Sequence, residues 1–549
     1  MSADTLPAQA PEASAPTFPS RAAVTARQLR LTRRLALAAV AALMLVSLYL
    51  RTRALHVHFW VDEGIAVGIA SHPLGQIPGL LRQDGSPPLY YVLLHFWLAA
   101  RGQSEVATHE LSLIFALLTI PVAYWAGASL FSRRTGLICA LFAAGVPYLT
   151  TYAQETRMYS LLALLAVIIA ASFVHCFVFR RRRYLAVFAV STAAGLYTHN
   201  WALFLALTSL IVFVVCVLRA PRAARSALWR DGALAFGGVA VLYAPWLPTL
   251  LYQSRHTGAP WDLPPVIWSL SQGLYSIVGG RGAAVALLLA GGSGLLGLRR
   301  ASGERYRRLG LAAAVLLLLA AGTLLIAWAY SKLSPAWAVR YLAVVLGPLL
   351  LAFALGVGRA GRLGLVALAL VACWWVLDPQ PTKINGKSNV AIVMSKMRDR
   401  LGADPLVLST QPEQVPVISY YLPGARRFAT PLGTVADPGV MDWRDALKRF
   451  HRHSTSSVLR PLVRALRPGT RILLVTPLGM PKTPLYMALI NRASVQWSTA
   501  LTFDPALERL KVSDDDAYVT GVAVRAVLYE VRAHRPVGGR SDVHPLKRR

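Results

Sequence analysis

The sequence predicts a polytopic α-helical membrane protein that ends in a water-soluble α/β domain. Of its 549 residues, 55% are hydrophobic and only 15% are charged, whereas soluble proteins carry about 25% charged residues. The mean hydropathy is +0.48, and apolar runs of membrane-crossing length recur up to residue 377, after which the composition changes abruptly. A soluble enzyme is excluded because it would expose too much apolar surface.

The strong positive charge does not indicate a nucleic-acid-binding protein. Lys and Arg number 57 and Asp and Glu 25, which gives a net charge of +32. The basic residues cluster at the ends of apolar stretches, as membrane-orientation signals do. We therefore expect membrane lipids, and no nucleic acid, around this protein.

The N-terminal residues 1–34 are predicted to form a disordered, basic cytoplasmic tail. Five arginines then lead into an apolar run at 35–50, and such a pattern is also typical of a signal peptide. No small-residue cleavage site follows the run, and further apolar segments do. We therefore interpret it as an uncleaved first span with its N-terminus in the cytoplasm.

Residues 35–377 are predicted to form a transmembrane domain, at about 20 apolar residues per crossing. The eleven expected spans lie near 35–50, 111–131, 135–151, 159–179, 184–200, 201–218, 232–252, 282–298, 309–330, 340–357 and 362–377.

The segment 87–100 is apolar too, but the arginines argue against a twelfth crossing. Without it, every dense basic loop lies in the cytoplasm; with it, all of them move outside. We therefore expect 87–100 to lie along the outer surface as an interfacial helix. The long loop 52–110 and the C-terminal residues 378–549 then both lie outside the cell membrane.

The C-terminal residues 378–549 are predicted to form a soluble, extracytoplasmic α/β domain. Short apolar runs at 406–408 and 472–475 have the length and composition of buried strands, and helical patterns lie between them.

Carboxylates are scarce in the transmembrane domain, and most of them face outward. Residues 36–377 contain nine, of which Asp231 and Glu304 belong to basic cytoplasmic loops and have a simple interpretation as solvated charge pairs. Polar residues at membrane depth are costly and tend to be functional, so the chemistry is expected on the outer face. The other seven are Asp62, Glu63, Asp84, Glu105, Glu110, Glu155 and Asp262.

The first candidate cluster lies in the loop 52–110, because structureless loops of this length are uncommon unless they are functional. Asp62 and Glu63 follow an aromatic pair and open a stretch with a helical pattern, where the helix dipole keeps a carboxylate ionised. Asp84 occurs later in the same loop. The competing interpretation makes Asp62 and Asp84 simple helix caps.

The second cluster is the segment TYAQETRMYS at 151–160, between two apolar spans. Gln154, Glu155, Arg157 and Tyr159 place a carboxylate, a fixed cation and a phenol at one depth, as a phosphorylated or sugar ligand requires. A simple ion pair between Glu155 and Arg157 is the alternative.

Two further candidates lie where the chain turns at the outer surface. His199 and Asn200 are at the tip of an outer hairpin, although a lone histidine is more often structural. Arg340, followed by Tyr341, lies where the chain re-enters the membrane from outside. A bound lipid phosphate explains such an arginine, and so does a side chain that reaches ordinary lipid headgroups.

Together these motifs resemble the GT-C glycosyltransferases, and within them the protein O-mannosyltransferase and aminoarabinose-transferase group (glycosyltransferase family 39-like, actinobacterial type). The resemblance rests on the acidic pair after the first span, the PPLYY segment, the QETRMY turn and the late Arg-Tyr, and it covers residues 35–345. It implies a GT-C fold and transfer of a sugar from a polyprenyl-phosphate donor to a glycan, lipid or protein acceptor on the outer face. Mannose is favoured as the sugar, with arabinofuranose next.

The resemblance also implies roles for individual residues. Asp62 matches the presumed base of the family, and Glu63 accompanies it. Arg157, Arg340 and Tyr341 would bind the donor phosphate.

Other positions stay without a fixed role. Gln154 and Glu155 match a second acidic motif whose partner (metal, phosphate or acceptor) is open, so a divalent cation remains an option and the metal is unknown. His109 stands where many relatives have an arginine, and no role is assigned to it.

The competing class of function is a transporter or flippase of lipid-linked sugar intermediates. Transporters typically show inverted repeats and broken helices at the membrane midplane. The sequence shows no such repeat, and its acidic residues gather at one surface instead.

Overall fold

The protein is described by a computed structural model, which covers residues 21–377, 386–479, 482–513 and 523–533. The first helix begins at Arg21, so residues 21–34, which we predicted as part of the tail, are helical. Ala, Arg, Leu and Gln dominate this segment, and all of them favour helices. The predicted disorder of 1–20 lies outside the described residues.

The membrane part is entirely helical. Its α-helices are α1 (Arg21–Arg51), α2 (Val61–Ala70), α3 (Ile77–Asp84), α4 (Leu89–Arg101), α5 (Glu105–Leu130), α6 (Arg133–Gly145), α7 (Pro147–Tyr152), α8 (Tyr159–Phe173), α9 (Leu185–Thr198), α10 (Ala202–Arg219), α11 (Arg222–Tyr243), α12 (Leu247–His256), α13 (Trp268–Val278), α14 (Arg281–Arg300), α15 (Glu304–Leu333), α16 (Ala343–Arg359) and α17 (Gly361–Leu377).

Eight helical segments in the described part of the chain are long and apolar enough to cross a membrane, which makes this a multi-pass membrane protein. The other three predicted spans correspond to α6, α9 and α17, of 13, 14 and 17 residues. At about 1.5 Å per residue these helices reach roughly 20–26 Å, less than the ~30 Å of a bilayer core.

The span expected at 135–151 is divided into α6 and α7. Val146, between them, is extended with φ −58° and ψ 125°, because the following Pro147 disfavours a helical residue before it.

The first outer loop contains three short helices, α2, α3 and α4. Helix α4 has 13 residues and lies within the segment predicted as interfacial. It is anchored to its neighbours by side chains: Trp97 Nε1 donates to the Ala107 carbonyl at 2.6 Å, and His95 Nδ1 contacts the Ala70 carbonyl at 2.9 Å.

Helices α8 and α16 form the centre of the bundle, and their outer ends carry candidate site residues. In the most apolar part of the span that contains α8, 94% of the residues are buried, and in that of α16, 83% are buried. A Cβ at Gly347 of α16 would collide with the backbone of Ala166 in α8, so the two backbones touch there. This close approach brings Tyr159 at the start of α8 near Tyr341 before α16, with ring centroids 6.3 Å apart.

The C-terminal part is an α/β domain with one six-stranded sheet, and both predicted strands are present. The strand order is β3-β2-β1-β4-β6-β5; β1 pairs in parallel with β2 and β4, and the other pairs are antiparallel. Its elements are α18 (Val390–Arg398), β1 (Leu406–Ser409), α19 (Val415–Tyr421), β2 (Arg427–Thr430), β3 (Gly433–Val435), α20 (Ala446–Arg452), α21 (Thr455–Arg464), β4 (Arg471–Leu478), α22 (Leu485–Thr502), β5 (Leu507–Ser513) and β6 (Ala523–Val531).

The C-terminal domain packs directly on α2 through glycines. A Cβ at Gly64 would lie 2.7 Å from the backbone of Val417, and one at Gly68 would collide with the Gly439 carbonyl oxygen. Tyr421 receives the Phe59 N–H at 2.8 Å. The domain and the first outer loop therefore lie at the same end of the bundle.

The basic loops gather at the other end. Arg182 pairs with Asp231 at 2.8 Å, Arg308 with Glu304 at 2.8 Å, and Arg181 reaches the Ser129 carbonyl at 3.3 Å. Glu304, 52% exposed, forms the solvated charge pair that we expected, whereas the Asp231 side chain is only 13% exposed and pairs with Arg182 from a largely buried position.

Candidate active site

A cavity of about 430 Å³ lies at the ends of the central helices that face the C-terminal domain. Seven of the predicted site residues line it: Asp62, Asp84, Arg157, His199, Asn200, Arg340 and Tyr341. Residues from four separate sequence clusters are thus brought to one hollow.

Asp62 is held between two arginines. Its Oδ2 lies 3.6 Å from Arg340 Nε and 4.0 Å from Arg157 Nε. Arg157 also donates to the Asp62 carbonyl at 3.2 Å and to the Tyr91 hydroxyl at 3.3 Å. The Asp62 side chain is 19% exposed, so it is open to the cavity while its position is fixed.

An aromatic cage holds Arg340. Its guanidinium carbon lies 5.5 Å from the Trp60 ring, 5.0 Å from Trp261 and 5.3 Å from Tyr341. Aromatic faces attract a cation without neutralising it, so the positive charge remains available to a ligand. Sequence reasoning did not identify Trp60 and Trp261, because an isolated tryptophan at a membrane surface has a simpler interpretation as an interfacial anchor.

Several buried donors around the cavity have no hydrogen-bond partner among the described residues. They are Trp60 Nε1, Arg157 Nε, Tyr159 Oη and Arg340 Nε. Buried polar groups are nearly always hydrogen-bonded. The two guanidinium Nε atoms lie only at ion-pair distance from Asp62. This concentration of donors without a hydrogen bond suits an anionic, oxygen-rich ligand.

Glu63 occupies a different environment from Asp62, although the two are adjacent. Its side chain is fully buried, and its Oε1 lies 2.6 Å from His109 Nε2, 2.9 Å from the Thr156 N–H and 3.1 Å from Lys387 Nζ. Oε2 accepts from the Trp60 N–H at 3.2 Å and from Lys387 at 3.0 Å.

These contacts give Glu63 a structural environment. Burial raises its pKa, but the charges of Lys387 and His109 outweigh burial and lower the pKa to about 2. The carboxylate is ionised and closes the first turn of α2. This placement does not favour the predicted catalytic participation of Glu63, because no acceptor position remains for a substrate. His109 acquires a structural contact here.

Gln154 and Glu155 lie behind the cavity wall. Gln154 accepts from the Ala54 N–H and donates to the Thr150 carbonyl, both at 2.8 Å, so both ends of its amide are used within the protein. Glu155 is 7% exposed, and its Oε2 has no partner among the described residues. Burial raises the pKa of Glu155 to about 7, opposed chiefly by Lys387.

His199 and Asn200 are placed differently at the hairpin tip. His199 is 9% exposed; its Nδ1 receives the Trp201 N–H at 3.1 Å, and its ring packs 4.7 Å from Tyr341. Asn200 Nδ2 donates to the Gly85 carbonyl at 3.1 Å, which ties the hairpin to the end of α3. His199 thus supports the wall, and Asn200 faces the cavity.

Asp84 is the last residue of α3, so it is not an N-cap. Trp60 occupies the N-cap position before α2, and Asp62 lies in the first turn. The cap interpretation therefore does not apply to either aspartate.

The described residues include no group of three His, Cys, Asp or Glu side chains that could hold a metal ion. The positive charge beside Asp62 comes from the chain's own guanidiniums.

Comparison with known proteins gives matches in structure and none in sequence. No protein-family model matches the chain, and no curated protein does. ArnT from Cupriavidus metallidurans in the apo state is similar, with a TM-score of 0.61, 12% identity, and coverage of 92% of this chain and 99% of that chain. The same ArnT bound to undecaprenyl phosphate gives a TM-score of 0.53 and 13% identity over 90% of this chain and 97% of that one.

A second enzyme shares the architecture over a shorter part of its length. The Archaeoglobus fulgidus oligosaccharyltransferase in the apo form gives a TM-score of 0.55 and 11% identity, covering 84% of this chain and 71% of that chain. At such identities the likeness establishes the fold. The chain shares the fold of ArnT and of this oligosaccharyltransferase, which agrees with the fold expected from the resemblance of its motifs to the GT-C glycosyltransferases.

Proposed function

We propose that this protein is a membrane glycosyltransferase that moves a sugar from a polyprenyl-phosphate donor to an acceptor hydroxyl on the outer face of the cell membrane. The observation that carries the proposal is the carboxylate of Asp62 between the guanidiniums of Arg340 and Arg157, at 3.6 and 4.0 Å, in an open cavity. One arrangement thus supplies a base beside two fixed cations.

The cations are suited to a phosphate leaving group. As the bond between the sugar C1 and the phosphate oxygen breaks, negative charge grows on the phosphate. Fixed donors aimed at that charge stabilise the transition state more than the ground state. Arg157 and Arg340 supply these donors, and Tyr341 extends the same wall, with the buried Tyr159 ring packed behind it.

Asp62 is suited to act as the base. The acceptor hydroxyl gives its proton to the Asp62 carboxylate, the acceptor oxygen bonds to C1, and polyprenyl phosphate leaves with the electron pair of the broken bond. Attack opposite to the leaving group inverts the configuration at the anomeric carbon.

The cavity also offers a path for the lipid chain. Its lining continues from Arg340 to apolar residues of α10, α12 and α15, among them Phe204, Leu250, Leu251 and Tyr330. Leu251 and Tyr330 are 52% and 48% exposed, so the apolar side of the cavity reaches the surface of the bundle that faces lipid. A donor can therefore keep its chain in the bilayer while its phosphate meets the arginines.

The proposed location is the cell membrane, with the cavity and the C-terminal domain outside and the N-terminus in the cytoplasm. Mannose remains the favoured sugar and arabinofuranose the next, with a cell-envelope glycan, lipid or protein as the acceptor. Both sugars rest on the sequence resemblance, and hexosyl and pentosyl transfer share the chemistry described here.

The test is a screen of the purified protein against a small panel of polyprenyl-phosphate sugars. We expect release of polyprenyl phosphate from one donor when an acceptor is added, measured by mass spectrometry of the lipid fraction. Movement of intact donor between the leaflets of a vesicle, without release, would instead identify a flippase.

A further inference from the structure

One corner of the cavity, which adjoins Arg157, is lined by Asp84, Ser86, Asn200 and Gln253. We call these four residues the acceptor corner, because their side-chain oxygens can accept hydrogen bonds; the name does not refer to the acceptor substrate. Neither Ser86 nor Gln253 belongs to the sequence motifs, and the transfer step described above uses none of the four.

Gln253, on α12, is 2% exposed, and its amide can adopt only one orientation. Its Nε2 donates to the Leu81 carbonyl at 2.8 Å and to the Ser86 carbonyl at 3.3 Å. Rotating the amide would point an oxygen at these two carbonyl oxygens. The Oε1 atom is therefore fixed on the free side, where it has no partner among the described residues.

Asn200 repeats the same arrangement. Its Nδ2 donates to the Gly85 carbonyl at 3.1 Å, and its Oδ1 is buried without a partner among the described residues. Both side-chain amides thus donate hydrogen bonds to the segment at the end of α3, and their oxygens point away from that segment.

Asp84 adds a carboxylate to the same corner. Burial raises the pKa of Asp84, while the neighbouring Ser86 hydroxyl and backbone N–H favour its ionised form. The corner therefore combines a carboxylate with two oriented amide oxygens that have no partner among the described residues, and a ligand that brings hydrogen-bond donors would satisfy them.

The two sides of the cavity have complementary needs. The arginine side offers donors to an anion, and the acceptor corner offers acceptors to hydroxyl groups. A glycosyl phosphate carries both features in one molecule, since its phosphate accepts hydrogen bonds and its sugar hydroxyls donate them.

We propose that the acceptor corner binds hydroxyl groups of the sugar being transferred, with Asn200 and Gln253 as residues that determine donor specificity. This inference rests on the proposed function and names the part of the site that recognises the sugar. A site built to accept from a hydroxyl discriminates strongly against an analogue that lacks it, because its buried polar groups are then left unpaired.

The experiment crosses variants with donors that lack single hydroxyls. Asn200→Leu and Gln253→Met remove the two oxygens, and the full-length enzyme is assayed with its best polyprenyl-phosphate sugar and with the set of monodeoxy donors. The wild type should lose roughly 10- to 100-fold in kcat/KM with at least one deoxy donor, the size expected for a lost buried hydrogen bond. The variant that lacks the matching oxygen should show a similar loss of kcat/KM with the intact donor. Removal of the hydroxyl from the donor should then cause no further loss in that variant.

A merely structural role gives a different result. If the two amides only hold the backbone at 81–86, each variant will lower kcat/KM by the same factor for all donors, and this outcome would overturn the inference. Gln272→Met, an exposed glutamine outside this cavity, is the matched control and should discriminate among donors as the wild type does.

Binding of polyprenyl phosphate without a sugar provides a second measurement. Its affinity should be unchanged in Asn200→Leu and Gln253→Met, because Arg157 and Arg340 are untouched; an equal loss of affinity for this lipid would contradict sugar recognition. Absence of turnover by the wild type with every donor would contradict the proposed function itself. This result can be distinguished from failure of the further inference, in which the enzyme is active but each variant lowers kcat/KM equally for all donors.

Discussion

Lys387 and Glu63 form a buried ion pair of 3.0 Å, with side chains 6% and 0% exposed. Lys387 belongs to the segment that enters the C-terminal domain, and Glu63 is the neighbour of Asp62 on α2. Lys387 also donates to the Gln154 carbonyl at 3.2 Å. The C-terminal domain thus helps to hold the candidate active site in place.

Removal of this lysine should destabilise the protein strongly. Lys387→Met leaves Glu63 as a buried anion with only His109 beside it, and breaking a buried pair in this way costs about 3–5 kcal/mol. Thermal unfolding of the detergent-solubilised protein measures the loss. Adding Glu63→Gln to Lys387→Met should recover part of it, because the unpaired charge is gone.

Lys448→Met is the matched control for that experiment. Lys448 pairs with Asp445 at 2.9 Å, but its side chain is 73% exposed, and solvent-screened surface pairs add little to stability. If Lys387→Met unfolds at the same temperature as this control, the buried pair does not have the role described here.

Replacement of the proposed base should abolish transfer without unfolding the protein. Asp62→Asn keeps the size of the side chain but cannot take the acceptor proton, and we expect the rate to fall by about 10²–10⁴-fold, the range for loss of a general base. The assay is release of polyprenyl phosphate, together with a thermal melt. Asp404→Asn, at a 65% exposed aspartate of the C-terminal domain, should keep full activity; wild-type turnover by Asp62→Asn would place the base elsewhere.

The two arginines should not tolerate lysine. Arg340→Lys and Arg157→Lys keep the charge but lose the planar fork and the buried Nε donors, so kcat should fall by about 10²–10³-fold, as for loss of one preorganised donor. The exposed Arg281, changed to lysine, serves as the control. Unchanged kcat in both variants would show that the donor phosphate binds away from these side chains.

Glu155 should make stability depend on pH near neutrality. Burial raises its pKa from 4.5 to about 7 in the folded protein, so the folded state holds a proton that the unfolded state has released. Stability from this group is fully present below pH 4.5 and is lost as the pH rises through 7, by up to about 3 kcal/mol. The difference in melting temperature between wild type and Glu155→Gln should shrink and reverse between pH 5 and 8; a constant difference would contradict the raised pKa.

The membrane orientation can be tested with two matched serines. In a variant that lacks the four native cysteines, Ser456→Cys in the outer domain should react with a membrane-impermeant maleimide in intact cells. Ser302→Cys, in the basic connection between α14 and α15, should react only after the membrane is opened. Both positions are exposed, so the reverse pattern would invert the proposed topology.

The sequence was sufficient for most of the architecture, because hydropathy and arginine placement are local signals. The membrane helices and the strands around Val407 and Leu473 follow from runs of apolar residues. The division of α6 from α7 follows from Pro147, but a hydropathy window averages across such a break. Helix lengths near 185–198 were overestimated for the same reason.

The sequence predicted the candidate site residues only where charged side chains occur in short, recognisable motifs. Asp62, Arg157 and Arg340 stand out as rare charges at the ends of apolar spans. Lys387 gave no such signal, since its partner Glu63 is 324 residues away and a lysine in a polar segment is ordinary. Gln253 was missed because its proposed role depends on the backbone carbonyls that its amide contacts, and these belong to a segment far away in the sequence.

The glycines of α2 link the evolution of the two halves. Gly64 and Gly68 let the helix backbone contact Val417 and Gly439 directly. No side chain lies between the two surfaces, so no substitution there can compensate for a change in the shape of one of them. A chimera that borrows the outer domain of another such protein would have to reproduce this backbone surface to within a few tenths of an ångström and also supply a lysine for Glu63. We expect the two parts to be inherited and exchanged as a single unit.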